Sequence, residues 1–179
     1  MPSLPNIARR LRLSIATWPD RAGWRDALLL TTVWAAVAVP LGIGLGVARW
    51  EASSSSRGEL LAFAAMAIVI PSLAEEILFR ALLIPHRSES VSVGNRLAWA
   101  GFALAVFVAY HPLNGWLLKV SAATVFTDPG FLTLAALLGV VCTLAYWRTG
   151  SIWPAVGIHW LTVVAWKVCL GGRIILVAS

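Results

Sequence analysis

An all-α, polytopic bundle of about five transmembrane helices follows from three properties of the sequence. Only 12% of its 179 residues are charged and 59% are hydrophobic, whereas a soluble domain carries about 25% charged residues. So few charges cannot cover a water-facing surface. The apolar residues gather in runs near the length a bilayer-crossing helix needs, about 20 residues. Arginine and tryptophan concentrate at the ends of those runs, as interfacial anchors do.

Residues 1–25 read as a basic amphipathic arm. Arg9, Arg10 and Arg12 alternate with Ile7, Leu11, Leu13 and Ile15, a pattern that lies on an anionic leaflet with membrane lipid as its partner. A cleaved signal peptide is the weaker reading, because the first apolar run has full span length and no clean cleavage pattern. Residues 26–179 form a single transmembrane domain, with a motif-bearing core at 59–170. Its first run is Asp26–Val47, between Arg25 and Arg49, and Gly42 and Gly46 make a small-xxx-small pair for close helix approach. Ser53–Ser56 is a polar linker. The second run, Glu59–Ile84, contains the charged cluster Glu75, Glu76 and Arg80. The third, Leu97–His111, weakens at Pro112, and the fourth, Phe131–Trp147, ends at Arg148-Thr149-Gly150; both are short for straight spans. The fifth, Ile152–Leu170, closes at Gly171-Gly172. Trp24, Trp50, Trp99, Trp116, Trp147 and Trp153 mark the ends. Cys142 and Cys169 both fall in apolar runs and read as small core residues.

The net charge of +6 is a matter of orientation and does not point to nucleic acid, because the basic residues gather at run ends. Arg9, Arg10, Arg12, Arg21, Arg25, Arg87, Arg96 and Arg148 fall on one side; Arg49, Arg57, Lys119 and Arg173 fall on the other. That bias predicts a cytoplasmic N-terminus in the cell (inner) membrane, and an odd span count would leave the C-terminus outside.

Glu75, Glu76 and Arg80 lie at membrane depth, where each ionised side chain costs about 2.5–3.5 kcal/mol on insertion scales. Glu76 and Arg80 are spaced to share a helix face with the acid first, the favourable order. Glu75 sits about 100° around the helix and is left for chemistry. His111 and His159 close later apolar stretches, while His86, beside Arg87 in a charged loop, reads as solvated. A desolvated carboxylate with two imidazoles suits water activation: the carboxylate as base, the imidazoles holding water, stabilising an oxyanion or protonating a leaving amine. In an alternating bundle Glu75 falls in the cytoplasmic half and His111 at the far end of its span, so their meeting requires broken helices around a protein-lined cavity.

Glu75-Glu76-x-x-x-Arg80, then Phe107-x-x-x-His111, then His159 after Arg148-Thr149-Gly150-Ser151-Ile152-Trp153-Pro154-Ala155 together resemble the CAAX-protease and bacteriocin-processing family. These are intramembrane endopeptidases that include the type II CAAX prenyl endopeptidases. The motifs occur in the family's order over about Pro71–Trp166. The resemblance implies that Glu75 activates water, that Glu76 and Arg80 support it, and that His111 and His159 complete the centre. It implies a peptide or membrane-protein substrate; the oligomeric state is not indicated. Zinc is the alternative to a cofactor-free site, with Glu75, His111 and His159 as its ligands. The metal-free form is preferred because neither histidine has an evident acidic partner of the kind zinc ligands keep.

One position departs from the family pattern. Val163 stands four residues after His159, where the family usually has Asn or Asp. Thr162 is adjacent but off that face, and Asn114, three after His111, is a candidate replacement. Two further readings therefore stay open: an impaired relative acting as a membrane binding or immunity module, and a proton-coupled transporter, since Glu and His chains also build relays. Asp128, in Asp128-Pro129-Gly130, reads as a helix boundary. Lys167 reads as a snorkelling cation, and Trp160 and Trp166 as packing.

Overall fold

The computed structural model describes residues 4–117 and 123–172, and its regular structure is helical throughout. Helix α1 spans Leu4–Ala16. Asp20 then caps α2, Arg21–Gly44, by accepting the Gly23 N–H at 2.8 Å. The helix thus starts earlier than the Asp26 expected, because the cap satisfies backbone donors a helix start leaves orphaned. Gly46 adopts φ +73°, reversing the chain, and the Val47 and Ala48 N–H groups return to the Gly42 carbonyl at 2.9 and 3.0 Å. Only half of the expected small-residue pair packs: a Cβ on Gly42 would press on Ala48 and Leu134, whereas Gly46 faces open space in the turn.

Ser56 and Glu59 form a reciprocal capping box that starts α3, Arg57–Ala67. The same span continues through a wide π-helical stretch, Ile68–Leu73, a short α4, Ala74–Glu76, and a second π-helical stretch, Ile77–Leu82. At Ile70 (φ −131°, ψ 117°), just before Pro71, the backbone leaves helical geometry. Helix α5 covers Val93–Leu117 and α6 Ala123–Phe126. Asp128 caps α7, Pro129–Thr149, through the Phe131 N–H at 2.8 Å, the boundary role expected of it. Gly150 ends α7 at φ +69°, its N–H on the Tyr146 carbonyl at 2.7 Å. Helix α8 is Trp153–Cys169.

The third and fourth runs are not short. Helix α5 is 25 residues long because Pro112 does not stop it, and α7 is 21 because its caps lie outside the apolar run. Four helices, α2, the 57–82 span, α5 and α7, are long and apolar enough to cross a membrane. Helix α8, at 17 residues, covers the same depth. The Trp153 indole donates to the Ile15 carbonyl at one end (2.9 Å), and the Arg49 and Glu51 N–H groups reach the Leu170 and Cys169 carbonyls at the other (both 3.2 Å). Large side chains such as Leu28, Leu61, Leu97 and Phe102 point outward from these helices, as lipid-facing residues do. The protein is an integral membrane protein.

Arg10, Arg87, Arg96 and Arg148 contact one another's segments at the end of the bundle where α1 docks, and the paired Arg49 and Glu51 lie at the opposite end. Lys119 and Arg173, which enter the orientation count, lie outside the described residues. Helix α1 is more than a surface arm. Arg10 is turned inward, 5% exposed, and Ser14 is fully buried. Arg10 holds both Glu89 carboxylate oxygens (2.7 and 2.8 Å) and the Leu82 carbonyl (2.9 Å), while Ser14 meets the Tyr146 hydroxyl at 2.8 Å.

Candidate active site

Four helices meet where the charged cluster sits. Glu76, fully buried, accepts from Arg80 Nη1 at 3.0 Å and from His159 Nδ1 at 2.8 Å on the same oxygen, Oε1. The i,i+4 spacing provides the first bond; the packing of α8 on the second span provides the other. Arg80 Nη2 donates to the Gly139 carbonyl of α7 at 3.0 Å, and its guanidinium carbon lies 4.8 Å over the Phe107 ring of α5. Thr143 Oγ1 shares the Gly139 carbonyl at 2.8 Å. The arginine is thus neutralised by an acid, satisfied by a carbonyl and seated on an aromatic face, which is what a buried charge requires.

Because Nδ1–H of His159 is committed to Glu76, its Nε2 faces the other way, with Glu75 Oε2 at 3.8 Å. Glu75 Oε2, Glu76 Oε2 and the hydroxyl of Ser72 are buried with no hydrogen-bond partner in the protein. Glu75 is therefore the acid whose inner oxygen has no hydrogen-bond partner in the protein, with the His159 imidazole as its neighbour.

His111 follows a different path to the same place. Its Nδ1–H donates to the Phe107 carbonyl at 2.8 Å. The Phe107 ring stands between the two imidazoles, with centroids 4.8 Å from His111 and 6.3 Å from His159. Phe79 packs on Phe107 at 5.0 Å, and Ala81 and Ala103 share one core cluster. Phe107, one turn before His111, is thereby held against the second span. Since α5 runs on to Leu117, His111 is not at the far end of its span.

Residues 57–165 match the model of the family described as Type II CAAX prenyl endopeptidase Rce1-like. The chain belongs to that family. No curated protein and no solved structure matches it. Rce1-like proteins are CAAX-protease-type intramembrane enzymes, so the protease assignment drawn from the motifs stands on the match as well as on the residues.

Within this Rce1-like core, two sequence expectations are corrected. His86 is not solvated. It is 4% exposed, with Nε2–H on the Gly150 carbonyl at 2.9 Å and Nδ1 against the Ser88 hydroxyl at 2.8 Å. The claim that neither histidine has an acidic partner fails for His159, which Glu76 backs directly. Each imidazole thus ties Nδ1–H to an acceptor and offers Nε2, the arrangement of a metal ligand. Among the described residues, however, no three His, Cys, Asp or Glu side chains are grouped as a metal site. Thr162 is no oxyanion donor, since it gives its proton to the Ile158 carbonyl (2.8 Å) and accepts the Trp34 indole N–H (2.8 Å). Gly139 was not foreseen. Its only trace in the sequence is a lone glycine in an apolar helix, a weak sign of close approach.

Proposed function

We propose that the protein is an intramembrane endopeptidase in which Glu75 is the general base. The observation that carries this reading is the pairing pattern: Glu76 is committed to Arg80 and His159, and Glu75 faces His159 Nε2 with an oxygen that nothing in the protein satisfies. In the proposed reaction a water donates one hydrogen bond to Glu75 and one to the His159 Nε2 lone pair. Glu75 takes the proton as the water oxygen bonds to the scissile carbonyl carbon, and the carbonyl π electrons move onto oxygen. The tetrahedral intermediate then collapses, the C–N bond breaks, and Glu75 returns the proton to the leaving amine. Glu76 fixes the tautomer and angle of His159; Arg80 keeps Glu76 ionised and in place. The substrates are peptide segments at the membrane, with a prenylated C-terminal Cys-aliphatic-aliphatic-X segment as the class to try first. The arginine-rich end, with α1, faces the cytoplasm of the cell membrane, the side where such tails are found.

The test uses purified protein in detergent with two quenched-fluorescence peptides, one ending in a farnesylated Cys-aliphatic-aliphatic-X segment and one unprenylated and apolar. Cleavage lost in Glu75→Gln, with the protein still monodisperse, supports the reading; cleavage that survives that change sinks it. Binding without cleavage by the wild type identifies an impaired relative. A metal-dependent form is the second reading, favoured by the Nε2 presentation of both imidazoles. In that case chelation abolishes cleavage and added zinc restores it, whereas protein free of metal by elemental analysis that still cleaves rules it out.

A further inference from the structure

The site as described has a base and water acceptors, and the donor for the developing oxyanion is still to be assigned. Both imidazoles, when neutral, have given their one N–H away, His159 to Glu76 and His111 to the Phe107 carbonyl. Arg80 is engaged by Glu76 and Gly139, Thr162 by Ile158 and Trp34, and Val163 has nothing to give. An acyl-transfer site without such a donor forfeits one of the largest contributions to catalysis.

Ser72 is the fully buried hydroxyl of the neighbourhood that is left without a partner. A serine or threonine inside a helix normally donates to the carbonyl one turn back, and in this chain Ser14, Thr31, Thr32, Thr133, Thr143, Thr149 and Thr162 all do. Ser72 does not, although it is fully buried. The cause is local. Ile70 leaves helical geometry two residues earlier, so the carbonyl that would accept from Ser72 is turned away. A donor is thereby kept uncommitted inside the protein, at a cost a fold does not ordinarily bear.

Its position matches the need. Ser72 lies one turn before Glu76, and Val163 lies one turn after His159. The Glu76–His159 bond joins the two segments, and the 68–73 stretch that carries Ser72 packs directly on α8, which carries Val163. The other unpartnered buried oxygens of the neighbourhood are Glu75 Oε2 and Glu76 Oε2, which can only accept when ionised.

We propose that the Ser72 hydroxyl donates to the oxyanion of the tetrahedral intermediate, in the place where an amide at position 163 would otherwise stand. This rests on the reading of Glu75 as general base, and the experiment separates the two. With the farnesylated peptide as probe, Ser72→Ala lowers kcat by about 100- to 1,000-fold, the usual consequence of deleting one oxyanion donor, with KM little changed. Ser72→Thr, which keeps the hydroxyl, restores most of the rate. Val163→Asn in the Ser72→Ala background restores part of it by supplying an amide across the gap. Glu75→Gln inactive but Ser72→Ala fully active overturns this proposal and leaves the base intact; Glu75→Gln active overturns the reading beneath it. A loss in Ser72→Ala that neither Ser72→Thr nor Val163→Asn repairs marks a structural role and also overturns the proposal. Should Ser72→Ala fail to fold, Ser72→Cys keeps the volume and weakens the donor, and an unchanged kcat in that variant is equally decisive against it.

Discussion

Arg80 shows how one side chain makes a charged site tolerable inside a membrane. Its guanidinium is 2% exposed and its acid partner fully buried, so the pair stands or falls together. Removing one partner of a buried ion pair costs about 3–5 kcal/mol, because the other charge is left uncompensated. Arg80→Ala is therefore expected to lower resistance to denaturation by about that amount and to release His159 from its fixed angle, so that activity falls with stability. Arg80→Lys keeps the charge but cannot fork between Glu76 and the Gly139 carbonyl, and an intermediate loss is expected. Titration of the purified variants with denaturing detergent, followed by circular dichroism, measures both; a wild-type midpoint for Arg80→Ala would show that Glu76 needs no cation. At this scale the sequence was informative where spacing alone decides. The i,i+4 rule anticipated the Glu76–Arg80 pair and left Glu75 over. It was silent where a bond crosses between helices, and the His159–Glu76 hydrogen bond, which removes the argument against a metal, is of that kind. His86 misled for the same reason: its loop is polar in sequence, but the carbonyl that buries it comes from Gly150.

The elements that build the site are those least like ideal helices. The span 57–82 passes through two π-helical stretches on either side of the glutamates, a distortion that recurs at functional sites. Hydropathy found this span but could not show its shape, since the wide turns follow from tertiary packing that periodicity does not record. Close approach is the other requirement. A Cβ on Gly139 would lie 2.6 Å from Leu104 Cδ1, 3.2 Å from Phe107 Cδ1 and 3.3 Å from Arg80 Nη2. Leu104 can turn aside, but Phe107 and Arg80 are fixed by each other. Gly139→Ala is accordingly expected to destabilise the fold by about 1–3 kcal/mol, the usual cost of overpacking, and to displace Arg80. Gly157→Ala is its control: that glycine lies in α8 with no atom near the added methyl, and the change is expected to be neutral or to stabilise by up to about 1 kcal/mol through helix propensity. Equal melting temperatures for the two variants would show that the approach of α7 to the site is looser than described.

The whole molecule is closed at its basic end by α1, and the titratable groups beneath it predict that acid weakens the closure. Glu89 and His86 lie in the loop between the second and third spans. Burial opposes the charge on Glu89, but the hydrogen bonds from Arg10 and the His86 N–H outweigh it and hold the carboxyl below its usual value. Burial likewise holds the His86 imidazole below its usual value, against the pull of the Gly150 carbonyl. The signs agree. A depressed carboxyl contributes stability that is present above its unfolded value and lost as pH falls through the folded one. A depressed histidine disfavours the fold once pH drops below its unfolded value, about 6.5. Protonation has a direct structural meaning as well: His86 Nδ1, an acceptor for Ser88, would become a donor facing the Ser88 N–H at 3.2 Å. Acid should therefore loosen α1 in two stages, the first beginning below about pH 6.5 and the second below the ordinary carboxylate range. Hydrogen exchange of the α1 amides, corrected for the intrinsic rate at each pH, reads this directly. Glu89→Gln should abolish the second stage and leave α1 less protected at neutral pH, because an amide cannot hold Arg10 as a carboxylate does. Protection that stays constant from about pH 7 to about pH 4 would mean that Arg10 and Glu89 do not hold the helix, and that Ser14, Tyr146 and Trp153 dock it alone.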